Sequence, residues 1–259
     1  MKIQSSSPVN AAGELRHLLG WTQPSDFTLD EIASVLGIIV KDIAIDGSEG
    51  RILINGDSAV ISINNSINNI GKRNFILGHE IGHFLLHKNA SNLFSDTTLT
   101  LSEWYKKGLH EQQANIFASE LLMPKQLFRD QVDGKKLSIA LIKEIGEYFG
   151  TSLLATFLRY VTLGKYPVMI IFIENGIVKW KQHSQDFPFK YLPLNSKVSP
   201  WTVAGDYFSK GHLENDPEKV DAIEWFPEDF QIKYKSDWKL WEQCYRIGEN
   251  SIVSCLWTY

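Results

Sequence analysis

Cysteine is nearly absent: the chain has two, Cys244 and Cys255, and no C-x-x-C pair. That argues against a disulfide framework and a cysteine-ligated zinc. A zinc deaminase is excluded with them, because no P-C-x-x-C accompanies the histidines. Both cysteines are expected to be reduced and half-buried. An excess of charge is missing as well, since a net −4 gives no global basic footprint for nucleic acid. Long apolar runs are missing too. The longest, around Pro167 to Ile173, is too short to span a bilayer, and Met1 to Pro8 has no signal-peptide core. The expectation is a cytoplasmic protein, with apolar content ample for one large domain or two small ones.

What is present centres on Gly78 to His87, which contains H-E-x-x-H. On a helix, His79 and His83 lie four apart on one face and can aim both imidazoles at one ion. Two neutral imidazoles suit Zn²⁺, and Glu80 beside them can hold and deprotonate an activated water. A third protein ligand is needed. His87 is eight residues from His79, roughly 12 Å along a continuous helix, too far to share an ion with it. The metzincin extension is also missing, because no Gly turn and third His follow at its spacing.

The third ligand is therefore expected from a second helix. Ala114, Phe117, Ala118, Leu121 and Leu122 repeat with the rhythm of a buried helical face, and Pro124 ends it. Glu111 and Asn115 are four apart on that helix. Glu111 is the expected third ligand, with Asn115 orienting a histidine ring from behind. Gly78 and Gly82, costly in a helix interior, predict close approach of another backbone element. His87 is expected to hydrogen-bond or cap locally near the helix end, with support of the site as the second reading.

Together these segments resemble the ImmA/IrrE family of metallopeptidases. Arg73-Asn74-Phe75 leads into His79-Glu80-Ile81-Gly82-His83 and Leu86-His87, and Glu111 through Pro124 fills the family's E-x-x-A-N-x-F-A-x-x-L-L-M-P pattern. The resemblance implies one zinc held by His79, His83 and Glu111, with Glu80 as base. It also implies a role in which a helix-turn-helix repressor is cleaved, in a stress response or in control of mobile elements. The alternative is a regulatory protein that binds the repressor or DNA with its zinc structural or vestigial. No repressor-type segment precedes the motifs, so the expected target is a separate protein.

The remaining chain reads as α+β. A mainly helical zinc-peptidase domain over 1–124 carries a small sheet ahead of the H-E-x-x-H helix, from Ile38–Ile45, Arg51–Ile54 and Ala59–Asn64. The last two strands form a hairpin through Asn55-Gly56, expected to offer the edge that pairs with a peptide. Asn89 to Ser102 reads as a surface loop or flap over the cleft. Residues 125–164 outline a helix-turn-helix packed on the peptidase; Leu153, Leu154, Ala155 and Phe157 weigh against a DNA-reading helix. Residues 165–259 read as a small α+β domain, a candidate sensory module. Its six tryptophans suggest core. Tyr105, His110, His183 and His212 stand unranked as oxyanion donors.

Overall fold

Local signals in the sequence open and close the first helices. Pro8 begins α1 (Pro8–Leu19), where its missing N–H costs nothing, and Gly20 ends it at φ 65°. Thr28 accepts the Glu31 amide while the Glu31 carboxylate accepts the Thr28 amide, a reciprocal cap that starts α2 (Leu29–Val35). The computed structural model describes residues 3–88, 93–97, 108–213 and 215–258. Its contacts divide the chain into Met1–Thr156 and Phe157–Tyr259.

In the first unit β1 (Ile38–Ile43) runs parallel to β3 (Ser58–Asn64), and β2 (Ser48–Asn55) pairs antiparallel with β3 through Gly56, at φ 62°. A fourth strand, β4 (Leu93–Thr97), pairs antiparallel with β2, giving the order β1-β3-β2-β4. This corrects two expectations. The hairpin β2–β3 lies inside the sheet with a neighbour on each side, so it offers no free edge. Part of the stretch read as a loop is itself a strand, and the rest of that stretch lies outside the described residues.

The next helix is anchored at its start on three sides. Asn69 caps α3 (Ile70–His87) by accepting the Lys72 amide. Arg73, one turn in, holds Asp30 of α2 at 2.8 and 3.0 Å and Asp42 of β1 at 2.9 Å. Gly71 meets the backbone of Thr151 and Ser152 so closely that any Cβ would collide with it, and Asn74 donates to the Gly150 carbonyl at 2.9 Å. The turn between α6 (Ile139–Phe149) and α7 (Leu153–Leu163) is thus seated on the start of α3. Between them come α4 (Leu109–Leu122) and α5 (Lys125–Val132).

The second unit starts within α7 and is built on an antiparallel sheet. Its strands are β5 (Val168–Glu174), β6 (Ile177–His183), β7 (Glu218–Asp221), β8 (Lys239–Gly248) and β9 (Ser251–Trp257), in the order β6-β5-β9-β8-β7. Asn175 and Gly176, both at positive φ, make the turn between β5 and β6. Against one face lie α8 (Val203–Lys210), α9 (Ala222–Trp225) and the Phe187, Phe189 and Phe226 rings. Trp180, Trp225 and Trp257 are core, as expected, whereas Trp201 is 77% exposed. Cys255 is opposite Gln243 and Cys244 is opposite Ser254, so the cysteines point to opposite faces of the sheet. No helix among the described residues is long and apolar enough to cross a membrane.

Candidate metal centre

The two helices that carry the motifs are brought together by glycine. A Cβ on Gly78 would sit 3.4 Å from Ala118 Cβ, and one on Gly82 would sit 3.1 Å from the Phe117 ring and 3.2 Å from Ala114 Cα. The absence of side chains at these two positions lets α4 lie against α3. The close approach expected from the two glycines is the contact that delivers Glu111 to the histidines.

His79, Glu80 and His83 are each no more than 2% exposed. The Nε2 atoms of His79 and His83 are 2.9 Å apart, and the Glu111 carboxylate reaches them at 3.2 and 3.3 Å. One ligand atom from each of the three residues lies within 4.8 Å of the others. Glu111 stands in the first turn of α4, where the helix dipole favours a negative charge. Burial alone would raise its pKa; the hydrogen bonds and charges of His79 and His83 outweigh that and hold it far below the ordinary carboxylate range.

The backs of both rings are also held. Asn115 Oδ1 accepts from His79 Nδ1 at 2.8 Å, so Nδ1 carries a proton; Nε2 donates to Glu111 when the ring is charged and presents a lone pair once that proton gives way to a metal. His83 Nδ1 lies 3.1 Å from His87 Nδ1, and His87 Nε2 lies 2.9 Å from Gln113 Oε1. His87 therefore does more than cap the helix locally: it touches His83. Burial lowers its pKa, which favours the neutral imidazole. The ring of His110, itself exposed, rests 4.5 Å from that of His87.

Two nitrogen donors and a charged carboxylate converging on one point make a donor set that fits a divalent metal, and neutral imidazole with carboxylate suits zinc. Glu80 lies toward β2, where a Cβ on Gly50 would come within 3.0 Å of its Oε1 and run into Ile76. Gly50 pairs in turn with Asp96 of β4, so the outer strand of the sheet passes next to the strand that covers Glu80.

Of the proposed oxyanion donors, Tyr105 lies outside the described residues, and His183 and His212 belong to the second unit. Sequence reading missed the part of Gln113, whose signal was its place between Glu111 and Asn115 on the same helix. It also missed Gly50, which carries no periodicity to mark it.

Residues 34–159 match the family model of the IrrE N-terminal-like domain of peptidase family M78. No curated protein matches the sequence. A solved structure of a Mycobacterium tuberculosis transcriptional regulator aligns over 96% of this chain and 86% of that one, with a TM-score of 0.58 and 13% identity. At that identity the likeness is one of fold.

Proposed function

We propose that this protein, whose residues 34–159 match the model of the IrrE N-terminal-like domain of the M78 peptidases, is a zinc-dependent endopeptidase acting on a protein substrate, a helix-turn-helix transcriptional repressor, to relieve repression. The observation that carries the reading is the convergence of His79, His83 and Glu111 beside the buried carboxylate of Glu80. One zinc would be held by those three residues. It would supply a Lewis acid and bring the pKa of water toward neutrality. Glu80 takes the proton of the attacking water as its oxygen adds to the scissile carbonyl carbon. The same carboxylic acid then returns that proton to the nitrogen as the C–N bond breaks.

The extended substrate is placed along β4 instead of the hairpin, since β4 is the outer strand on the Glu80 side and its outer edge has no strand partner among the described residues. Asn115 holds His79 in the metal-binding tautomer. The test is metal content and repressor cleavage by wild type, Glu111→Ala and Glu80→Gln, using helix-turn-helix repressors from the same locus. One zinc in wild type, its loss in Glu111→Ala, and zinc without cleavage in Glu80→Gln is the expected pattern. Unchanged cleavage by Glu80→Gln overturns the assignment of the base.

A second reading, regulation by binding without cleavage, draws on the name of the structural neighbour, a transcriptional regulator. It predicts zinc and repressor binding with nothing cut. Direct DNA contact through α7 is disfavoured by the burial of Leu154, Ala155, Thr156, Phe157, Tyr160 and Val161, which leaves that helix little exposed surface with which to read a groove.

A further inference from the structure

We propose that Gln113 and His87 form a relay that fixes His83 as the Nδ1–H tautomer, making both of them positioning residues for the metal centre. The inference rests on the ligand set proposed above. His83 can bind a metal through Nε2 only if that nitrogen is bare, and a neutral ring then carries its proton on Nδ1. That proton needs an acceptor, because His83 is 1% exposed.

Where a metal-bound imidazole usually meets a carbonyl or carboxylate, His83 Nδ1 meets the Nδ1 of another histidine one helical turn on, at 3.1 Å. Histidine is an ambiguous acceptor. The His87 ring accepts at Nδ1 only when its own proton is on Nε2. Gln113 settles this: its amide oxygen stands 2.9 Å from His87 Nε2 and accepts there, so His87 Nδ1 is left with a lone pair facing His83.

Reversal of the Gln113 amide would invert the whole chain. Its NH₂ would donate to His87 Nε2, His87 Nδ1–H would donate to His83 Nδ1, and the His83 proton would stand on Nε2, in the metal's place. The amide of Gln113 thus decides, through two rings, whether His83 presents a lone pair or a hydrogen. Gln113 belongs to α4 and His83 to α3, as Asn115 and His79 do. The first turns of α4 therefore supply a ligand, Glu111, together with the group that sets the tautomer of each histidine.

The test begins on zinc-loaded, full-length protein by long-range ¹H–¹⁵N correlation at histidine, which reads the tautomer of the non-ligand His87 without activity. The expected result is His87 as the Nε2–H form in wild type, with its Nδ1 accepting from His83. Zinc affinity by chelator competition should fall about 10- to 100-fold in Gln113→Leu and His87→Phe. It should recover in His87→Gln, whose amide oxygen can reach the Nδ1 one turn back and replace the relay in a single step. Circular dichroism of each metal-free variant keeps misfolding apart from loss of the relay, and recovery in His87→Gln excludes a merely structural effect. An Nδ1–H His87 in wild type overturns the relay, as does unchanged affinity in Gln113→Leu and His87→Phe. Failure of wild type itself to bind zinc through His79, His83 and Glu111 removes the underlying site reading instead.

Discussion

Asn115 Oδ1 meets His79 Nδ1 at 2.8 Å, on the side of the ring turned away from His83 and Glu111. Asn115→Ala deletes that acceptor in a buried place and frees the tautomer. Zinc affinity should drop on the order of 10-fold while the helical content stays, read by chelator competition and circular dichroism. An affinity equal to wild type would show that the ring is held by packing alone.

The contact between α3 and α4 distinguishes two glycines that look alike in sequence. Gly82→Ala places a methyl against the Phe117 ring and the Ala114 backbone, at 3.1 to 3.3 Å, and should cost about 1–3 kcal/mol and weaken zinc binding. Gly78→Ala meets Ala118 at an ordinary 3.4 Å and gains helix propensity, so it should range from neutral to stabilising by about 1 kcal/mol. Urea unfolding of the two variants decides it.

Metal removal should stop cleavage without unfolding the protein. The first unit has an apolar core independent of the ligands, including Leu15, Ile32, Ile52, Ile61, Phe117 and Phe128. Chelation should lower the melting temperature only by the binding contribution, a few kcal/mol. Collapse of the fold on chelation would mark the zinc as structural.

In the second unit Glu242, 0% exposed, accepts the amides of Val203 and Ala204 at the start of α8, the Trp225 indole and the Ser254 hydroxyl, each within 3.0 Å. Burial pushes its pKa up against the pull of these donors. Glu242→Ala strands these four buried donors and the Cys244 thiol, and should cost about 3 kcal/mol or more, while Glu242→Gln should cost less. Denaturant midpoints of the two variants check the order.

Asp229 predicts an acid limb. Burial alone would raise its pKa, but the amides of Tyr191, Gln231 and Lys190, at 2.7 to 2.8 Å, outweigh that and lower it from 3.8. The folded form therefore binds the proton more weakly than the unfolded chain. Its stabilisation is complete above pH 3.8 and is lost as pH falls through the depressed folded value. Asp229→Asn should be less stable at neutral pH and show a shallower decline in acid, measured by unfolding across pH 2 to 6.

The parts of the site legible in the sequence were those carried by helix periodicity. His79 and His83 sit one turn apart, Glu111 and Asn115 likewise, and the two glycines announced the neighbour that joins them. Such spacing reports a face, and a face can be read without knowing the partner. The placement of β4 was not legible, because a strand is defined by what it pairs with and the Ser and Thr around it read as loop. The hairpin was found correctly and its edge misjudged for the same reason. The direction of hydrogen bonding through His87 and Gln113 depends on two side chains from separate helices, and no local pattern encodes it. The helix-turn-helix outline within 125–164 was found, while the seat of its turn on Gly71 required the fold.

The position of β9 bears on how the second unit is made. Val168 to Ile171 and Ile173 of β5 are wholly buried, and β9 is the neighbour that covers one flank of that strand. Yet β9 begins only at Ser251, roughly 80 residues after β5 ends, which at ribosomal speed is on the order of 4–16 s. During that interval the nascent chain carries an aggregation-prone strand with only β6 beside it. Production of this half should therefore be sensitive to chaperone supply and growth temperature in a way the metal-binding half is not.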